Sequence, residues 1–217
     1  MFSLLKKEIQ LEWRQKHALA GVLLYVLATV FVCYLALQSI EAPDVWNALL
    51  WITALFTAFN ALQRTFHQET GGTLYYLYTL ASPRQIMLAK MIYYGLQAAL
   101  LNGMSFALFL FFFGTGVFSD ADMGQFLTGL LLGSTGLGMA LTFLAGLVFR
   151  SGAGAGLVAV LGFPVVMPLM ITMVRFSRFA MDGLSWSENG LNLLILLVLN
   201  AAFLILSLVL FPYLWRD

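Results

Sequence analysis

Charge and cysteine are scarce in this sequence. Asp, Glu, Lys and Arg together make up 10% of the 217 residues, whereas soluble domains carry about 25%. Hydrophobic residues make up 61%, which is more apolar surface than one soluble core of this size could bury. The single cysteine, Cys33, excludes an intramolecular disulfide and a multi-cysteine metal site. The formal net charge of +1 argues against a nucleic-acid partner. The composition therefore predicts a protein of the membrane.

The sequence motifs of common catalytic sites are also missing. No G-x-x-x-x-G-K-[ST] sequence occurs, so we expect no ATP hydrolysis by this chain alone. No H-E-x-x-H motif or Cys/His cluster occurs, and the long apolar stretches contain no charged residue or histidine. We therefore predict that the chain is not an enzyme, has no catalytic or metal-binding residues and binds no cofactor of its own.

Six uncharged stretches are long enough to cross a bilayer, which takes about 20 apolar residues as a helix. They are Ala18–Ile40, Val45–Gln63, Met91–Ser119, Met123–Phe149, Ser151–Val174 and Asn189–Trp215. Helix is predicted because lipid offers no hydrogen-bond partner to an open backbone. A seventh run, Thr70–Pro83, is too short to span. The expected fold is all-α, a polytopic membrane protein with six transmembrane helices forming one domain over residues 1–217.

Basic residues predict the orientation. If the N-terminus is cytoplasmic, nine of the eleven Lys and Arg residues lie inside, and only Arg175 and Arg178 lie outside. The outer loops are instead acidic, with Glu41, Asp44, Asp120, Asp122, Asp182 and Glu188. Both termini are therefore expected to be cytoplasmic.

Residues 1–17 have the pattern of an amphipathic interfacial helix that lies on membrane lipid. Phe2, Leu5, Ile9 and Trp13 follow one helical stripe, and basic residues occupy the other side. The alternative is a basic flank that only sets the topology.

The longest cytoplasmic segment, residues 64–90, contains a polar turn, then a short helix predicted over Thr73–Leu80. Ser82 and Pro83 then form a strong helix start, because Ser can cap and Pro suits the first turn. The short apolar helix either packs on the protein's own inner face or docks a cytoplasmic partner; the sequence does not decide between them.

The fourth and fifth stretches are rich in glycine and proline. Gly129, Gly133, Gly136 and Gly138, followed by the Gly-rich run 152–156, predict close internal helix packing, with a dimer seam or moving interface as the alternative. Pro164 and Pro168 predict a kink or break, and therefore a candidate conformational hinge. Met167, Met170 and Met173 recur at helical spacing, which indicates packing rather than metal or haem ligation.

The chain resembles the type-2 permeases of ABC exporters over its full length. The resemblance rests on six stretches, the basic amphipathic start and the segment carrying Glu69, Gly72, Thr73, Leu74, Leu77, Leu80, Ser82, Pro83, Leu88, Ala89 and Lys90. Within that group it looks most like the cytochrome c maturation protein B, or haem exporter protein B, family. The Lys6–Arg14 opening and the Gly/Pro-rich fourth and fifth stretches carry this closer likeness.

The resemblance implies a permease subunit in the bacterial cytoplasmic (inner) membrane. Two copies of this chain would pair with two copies of a separate ABC ATPase subunit, which hydrolyses ATP. The coupling helix that docks on the ATPase would carry Glu69, Gly72, Thr73, Leu74, Leu77 and Leu80. Further cytochrome c maturation membrane proteins and a haem chaperone are implied partners. Haem is then either the exported cargo or is handled on a chaperone that ATP-driven movement releases.

Two alternatives stay open. One is the permease of a different type-2 ABC exporter, for a lipid, polysaccharide or drug. The other is a non-transporting membrane assembly factor, which would purify without an ATPase.

Overall fold

The computed structural model describes residues 2–14, 16–62, 82–151 and 156–214. Within these ranges the chain is helical: seven α-helices and one 3-10 turn, with no strand. The helices are α1 Phe2–Arg14, α2 Lys16–Leu37, α3 Pro43–Leu62, α4 Pro83–Phe113, α5 Met123–Ser151, α6 Gly156–Met181 and α7 Trp186–Leu214. The all-α prediction is confirmed for this part of the chain.

Five of the described helices are long and apolar enough to cross a membrane, judged by length and composition. The qualifying parts are Ala20–Leu37, Pro83–Phe113, Met123–Val148, Val160–Met181 and Trp186–Pro212. The 20-residue helix α3 is not one of the five.

Helix α5 occupies the centre of the bundle. Of its spanning part, 72% is buried inside the protein, compared with 17% for α2 and α7. It packs against α3, α4, α6 and α7. The peripheral helices instead expose large aliphatic side chains such as Leu24 and Leu191, as expected for helices that face lipid.

Glycines of α5 allow its neighbours to approach closely. A Cβ at Gly138 would collide with the carbonyl oxygen of Tyr94 on α4. A Cβ at Gly129 would meet the ring of Phe176 on α6, and one at Gly133 would meet Met173. These glycines therefore serve internal packing. Gly152 and Gly154 of the following Gly-rich run lie outside the described residues.

The loops on one side of the bundle meet at a single end, here called the loop end. It contains residues 38–42, 114–122 and 182–185, joined for example by the Asp122 N–H, which donates to the Ala180 carbonyl. Beneath it, the indole of Trp46 is surrounded by rings from α4, α5 and the 3-10 turn: Phe106, Phe109, Phe118 and Phe126. The opposite end, here called the α1 end, contains α1 and the first turns of α4.

Helix α6 differs from its expected shape, because it continues through Pro164 and Pro168 without a break. Both prolines are exposed on the surface of the bundle. The ring of a proline needs space on only one side of a helix, and here that side faces away from the described neighbouring helices. Of the predicted kink or break, the break is therefore wrong, whereas a kink and a hinge at these prolines stay predictions.

Helix boundaries also shift from the uncharged stretches. Helix α4 begins at Pro83 and ends at Phe113, because Gly114 has a φ of 75° and its N–H donates to the Leu110 carbonyl. Helix α6 extends beyond Val174 to Met181 and so includes Arg175 and Arg178. Charge marks the edge of the hydrocarbon but does not end a helix.

Candidate functional site

The docking segment predicted from the sequence is not placed by the structure. Glu69, Gly72, Thr73, Leu74, Leu77 and Leu80 all lie outside the described residues. The helices on either side are described: α3 ends at Leu62 and α4 begins at Pro83.

The start of α4 is a capped helix terminus. Ser82 has extended backbone angles, φ −68° and ψ 148°, and Pro83 is the first helical residue. The Ser82 N–H donates to Oε1 of Gln85 at 3.4 Å, and the Gln85 N–H donates to the Ser82 carbonyl at 2.9 Å. Helix α4 therefore has a capped start at Ser82 and continues for 31 residues.

A buried ion pair joins this helix to α1. Lys90 Nζ lies 3.3 Å from Oε1 of Glu8, and the two residues are only 2% and 7% exposed. The Tyr94 hydroxyl donates to Oε2 of Glu8 at 3.5 Å, and Lys7 Nζ lies 3.8 Å from its Oε1. The amphipathic helix is thus attached to α4 two turns after its first residue, which the sequence pattern does not predict.

An apolar groove of about 420 Å³ lies between α3 and α6, on the half of these helices nearer the α1 end. Its walls are Leu55, Phe56, Phe59 and Asn60 of α3, and Phe163, Val166, Met167 and Met170 of α6. Its volume is in the range of small-molecule sites, about 300–1,000 Å³. The amide of Asn60 is its polar group, with Nδ2 donating to the Phe56 carbonyl at 3.0 Å.

The methionine stripe of α6 divides between core and groove. Met173 is fully buried, next to Gly133, whereas Met170 and Met167 line the groove. Among the described residues, no group of three His, Cys, Asp or Glu side chains could hold a metal ion.

At the loop end, α3 and α6 are joined by a chain of buried hydrogen bonds. Trp51 Nε1 donates to Ser177 Oγ at 2.8 Å. The one Ser177 hydroxyl proton faces two acceptors at 2.7 Å, Asn47 Oδ1 on α3 and the Met173 carbonyl of its own helix. Asn47 Nδ2 donates in turn to the Val174 carbonyl at 2.8 Å. Beyond it, Arg178 Nε lies 2.6 Å from Asp44 Oδ1.

A second polar network fixes the starts of α5 and α7. Gln125 Nε2 donates to the Leu184 carbonyl at 2.7 Å, and Asn189 Nδ2 donates to Gln125 Oε1 at 3.1 Å. The Gln125 N–H donates to Asp122, which is the main reason that the pKa of the Asp122 carboxyl is lowered. At the start of α7, the Ser185 hydroxyl donates to Oε2 of Glu188 at 2.7 Å.

Sequence reasoning missed the partners of these polar residues rather than the residues themselves. The sequence marks Lys90 as an inside charge and as part of the permease-like segment, and Glu8 only as part of the amphipathic start. Asn47 and Ser177 are 130 residues apart in the chain. Only the packing of the helices brings such pairs together, so composition and periodicity cannot predict them.

A protein-family model described as CcmB protein matches residues 1–214 of the chain. No curated protein gives a significant match, and neither does any solved structure. With its apolar helices, this match supports a multi-pass membrane protein.

Proposed function

The chain belongs to the CcmB protein family, and from this we propose that it is the membrane-spanning permease subunit of an ABC transporter complex acting in cytochrome c maturation. Family membership over residues 1–214 is the observation that carries the proposal. The likeness of the 64–90 segment to type-2 ABC permeases supports the permease role.

We propose six membrane crossings, with α3 as the sixth. Twenty helical residues reach about 30 Å, the thickness of the hydrocarbon core. Helix α3 runs antiparallel to α6: Asn47 bonds to Val174 near one end, and a Cβ at Gly162 would lie 3.4 Å from the ring of Phe59 near the other. A helix that accompanies a spanning helix over this depth crosses with it.

The proposed orientation places the α1 end in the cytoplasm of a bacterial cell and the loop end outside. The loop end contains the acidic residues Asp120, Asp122 and Asp182, whereas the α1 end contains Arg84 and Lys90. The positive-inside rule favours this arrangement.

ATP hydrolysis is assigned to a separate subunit that docks on residues 69–80. Helices α3 and α4, which flank this segment, both approach it at the α1 end. Two copies of the chain with two ATPase subunits would form the transporter. Its movement would either export haem or release a haem-loaded chaperone to the other maturation proteins. We assign no haem ligand within this chain.

Co-purification from native membranes tests the proposal. We expect an ABC ATPase and haem-handling membrane proteins to accompany the tagged chain. The variant Leu77→Asp should lose the ATPase, because a charge enters an apolar contact of the kind in which one anchor can contribute about 2 kcal/mol or more.

Gln10→Asp is the matched control, because it adds the same charge at an exposed position on the same proposed side. It should retain the ATPase. Purification of the wild-type chain with maturation proteins but without an ATPase would contradict the permease role and favour an assembly factor.

A further inference from the structure

The two walls of the apolar groove are held together differently at their two ends. Toward the loop end, Asn47, Trp51 and Ser177 form the hydrogen-bonded chain described above; we name these three residues the polar latch. All three are at most 1% exposed. Around the groove, in contrast, the described residues of α3 and α6 share no side-chain hydrogen bond. The groove walls there are apolar apart from Asn60, and the atoms nearest to a Cβ at Gly162 would belong to Phe59 and Leu144.

This difference matters because of the surrounding lipid. Lipid tails replace apolar helix contacts with little loss, so α3 and α6 can separate along the groove at small cost. Hydrogen bonds within the bilayer have no such replacement, since lipid tails neither donate nor accept. Helices α3 and α6 can therefore separate more easily along the groove than at the polar latch, where hydrogen bonds hold them together.

The latch also lies directly on the route from the groove to the loop end. Met170, at that end of the groove, is one helical turn from Val174, whose carbonyl accepts from Asn47. On α3, Leu55 is one turn from Trp51. Trp51 additionally fills the space beside Gly133 of α5, so the route is closed by a large ring as well as by hydrogen bonds.

We propose that the polar latch is the outward gate of the α3–α6 groove, separating it from water at the loop end. Ser177 is its central residue, since its Oγ accepts from Trp51 and lies between two acceptors, Asn47 Oδ1 on α3 and the Met173 carbonyl on α6. An occupant of the groove can reach the loop end only after these hydrogen bonds break.

Cysteine labelling tests the gate without any transport assay. Met170→Cys in a Cys33→Ala background places one thiol at the latch end of the groove. An impermeant maleimide added to spheroplasts should label it slowly, and Ser177→Ala should raise the labelling rate about three- to tenfold, as the loss of hydrogen bonds within a bilayer allows. Trp51→Phe, which keeps an aromatic ring but removes one donor, should give a smaller increase and serves if Ser177→Ala folds poorly.

Thr172→Ala is the matched control: the Thr172 hydroxyl, like that of Ser177, bonds a carbonyl of its own helix, Pro168 at 2.8 Å, but among the described residues only Ser177 also bonds side chains of α3. It should leave the labelling of the thiol at position 170 unchanged. The variant Ile171→Cys, exposed at the same depth but outside the groove, should not respond to Ser177→Ala. Equal labelling at position 170 in the Ser177→Ala and Thr172→Ala proteins would overturn the proposal.

The gate rests on the proposed orientation of the protein in the membrane, which a separate labelling experiment tests. Asp182→Cys, exposed at the loop end, should react at once from outside. Failure of that arm would reject the orientation. A reactive thiol at position 182 with an unresponsive thiol at position 170 would reject the gate alone.

Discussion

Among the described helices, α4 and α5 form the most extensive helix pair. One glycine of α5, Gly138, sets the distance between them. At Gly138 a side chain would meet the α4 backbone itself, at the Tyr94 carbonyl oxygen and 2.7 Å from Gly95 Cα. We predict that Gly138→Ala destabilises the protein by about 1–3 kcal/mol, the usual cost of overpacking. Thermal unfolding in detergent measures this.

Gly103 is the natural control, since a Cβ there meets nothing within 4 Å. Gly103→Ala should be neutral or stabilise by up to about 1 kcal/mol, because Ala is the better helix former. Equal destabilisation by both substitutions would show that the α4–α5 distance is not set at Gly138.

The carboxylate of Asp122 makes loop-end stability dependent on pH. Its pKa is lowered mainly by the hydrogen bond from the Gln125 backbone, so the charged form is favoured in the folded protein. Its contribution is present above the unfolded pKa, about 4, and is lost as pH falls through the lower folded value. Asp122→Asn should lower the melting temperature at pH 7, and the difference from wild type should narrow toward pH 3.

Asp120→Asn is the control, because it tests whether loss of any carboxylate at the loop end lowers the melting temperature as Asp122→Asn does. Within the described part of the chain, the carboxylate of Asp120 accepts a side-chain hydrogen bond only from its neighbour Ser119, at 3.4 Å. This substitution should therefore change the melting temperature less at every pH.

At the scale of elements, the ion pair of Glu8 and Lys90 decides whether α1 stays attached to α4. Lys90→Met leaves a buried carboxylate without its closest cation, and losing one partner of a buried pair costs about 3–5 kcal/mol. We predict faster trypsin cleavage within residues 1–17 in Lys90→Met. The double variant Glu8→Leu/Lys90→Met should recover part of this loss, with a coupling of about 0.5–3 kcal/mol. Additive effects of the two substitutions would exclude the pairing.

The sequence predicted which elements form better than where they end. Long uncharged runs and the Ser82–Pro83 start correspond closely to helices, because both depend on neighbours in the chain. The ends of α4 and α6 differ, since Gly114 stops one helix and charged Arg175 and Arg178 do not stop the other. Helix α6 continues through Pro164 and Pro168 because both lie on its outward-facing side. The periodicity of the sequence alone did not show which side faces outward.

For the whole molecule, the two ends should be chemically distinguishable across a membrane. On a Cys33→Ala background, Asp182→Cys should react with an impermeant thiol reagent from outside. Arg84→Cys, exposed at the α1 end, should react only after permeabilisation. The physical reason is the excess of Lys and Arg at one end. Labelling of both positions from the same side would refute the proposed arrangement.

The candidate sites could be predicted only where they are local in the chain. The docking segment is a continuous motif, so the sequence names its residues. The groove and the latch are instead built from α3 and α6, which are far apart in the chain, and their residues are ordinary Asn, Ser, Phe and Met. Such sites exist only through helix packing, and no local pattern predicts them.

The unequal helix lengths make the protein asymmetric with respect to bilayer thickness. Trp46 lies level with Phe109 and Phe126, 5.4 and 6.0 Å away between ring centroids. From that level, α3 extends about 24 Å to Leu62, whereas α4 extends about 39 Å to Pro83, at about 1.5 Å per residue.

A hydrocarbon core about 30 Å thick covers the first length but not the second, so in the proposed arrangement the excess of α4 should project at the α1 end. Lys90 lies about 28 Å below the level of Trp46 by the same rise per residue, near the boundary between hydrocarbon and headgroups. We expect thin membranes to place the buried pair of Lys90 and Glu8 among the headgroups, and thick ones to place it among the acyl chains. The attachment of α1 to α4 should therefore depend on the length of the lipids that surround the bundle.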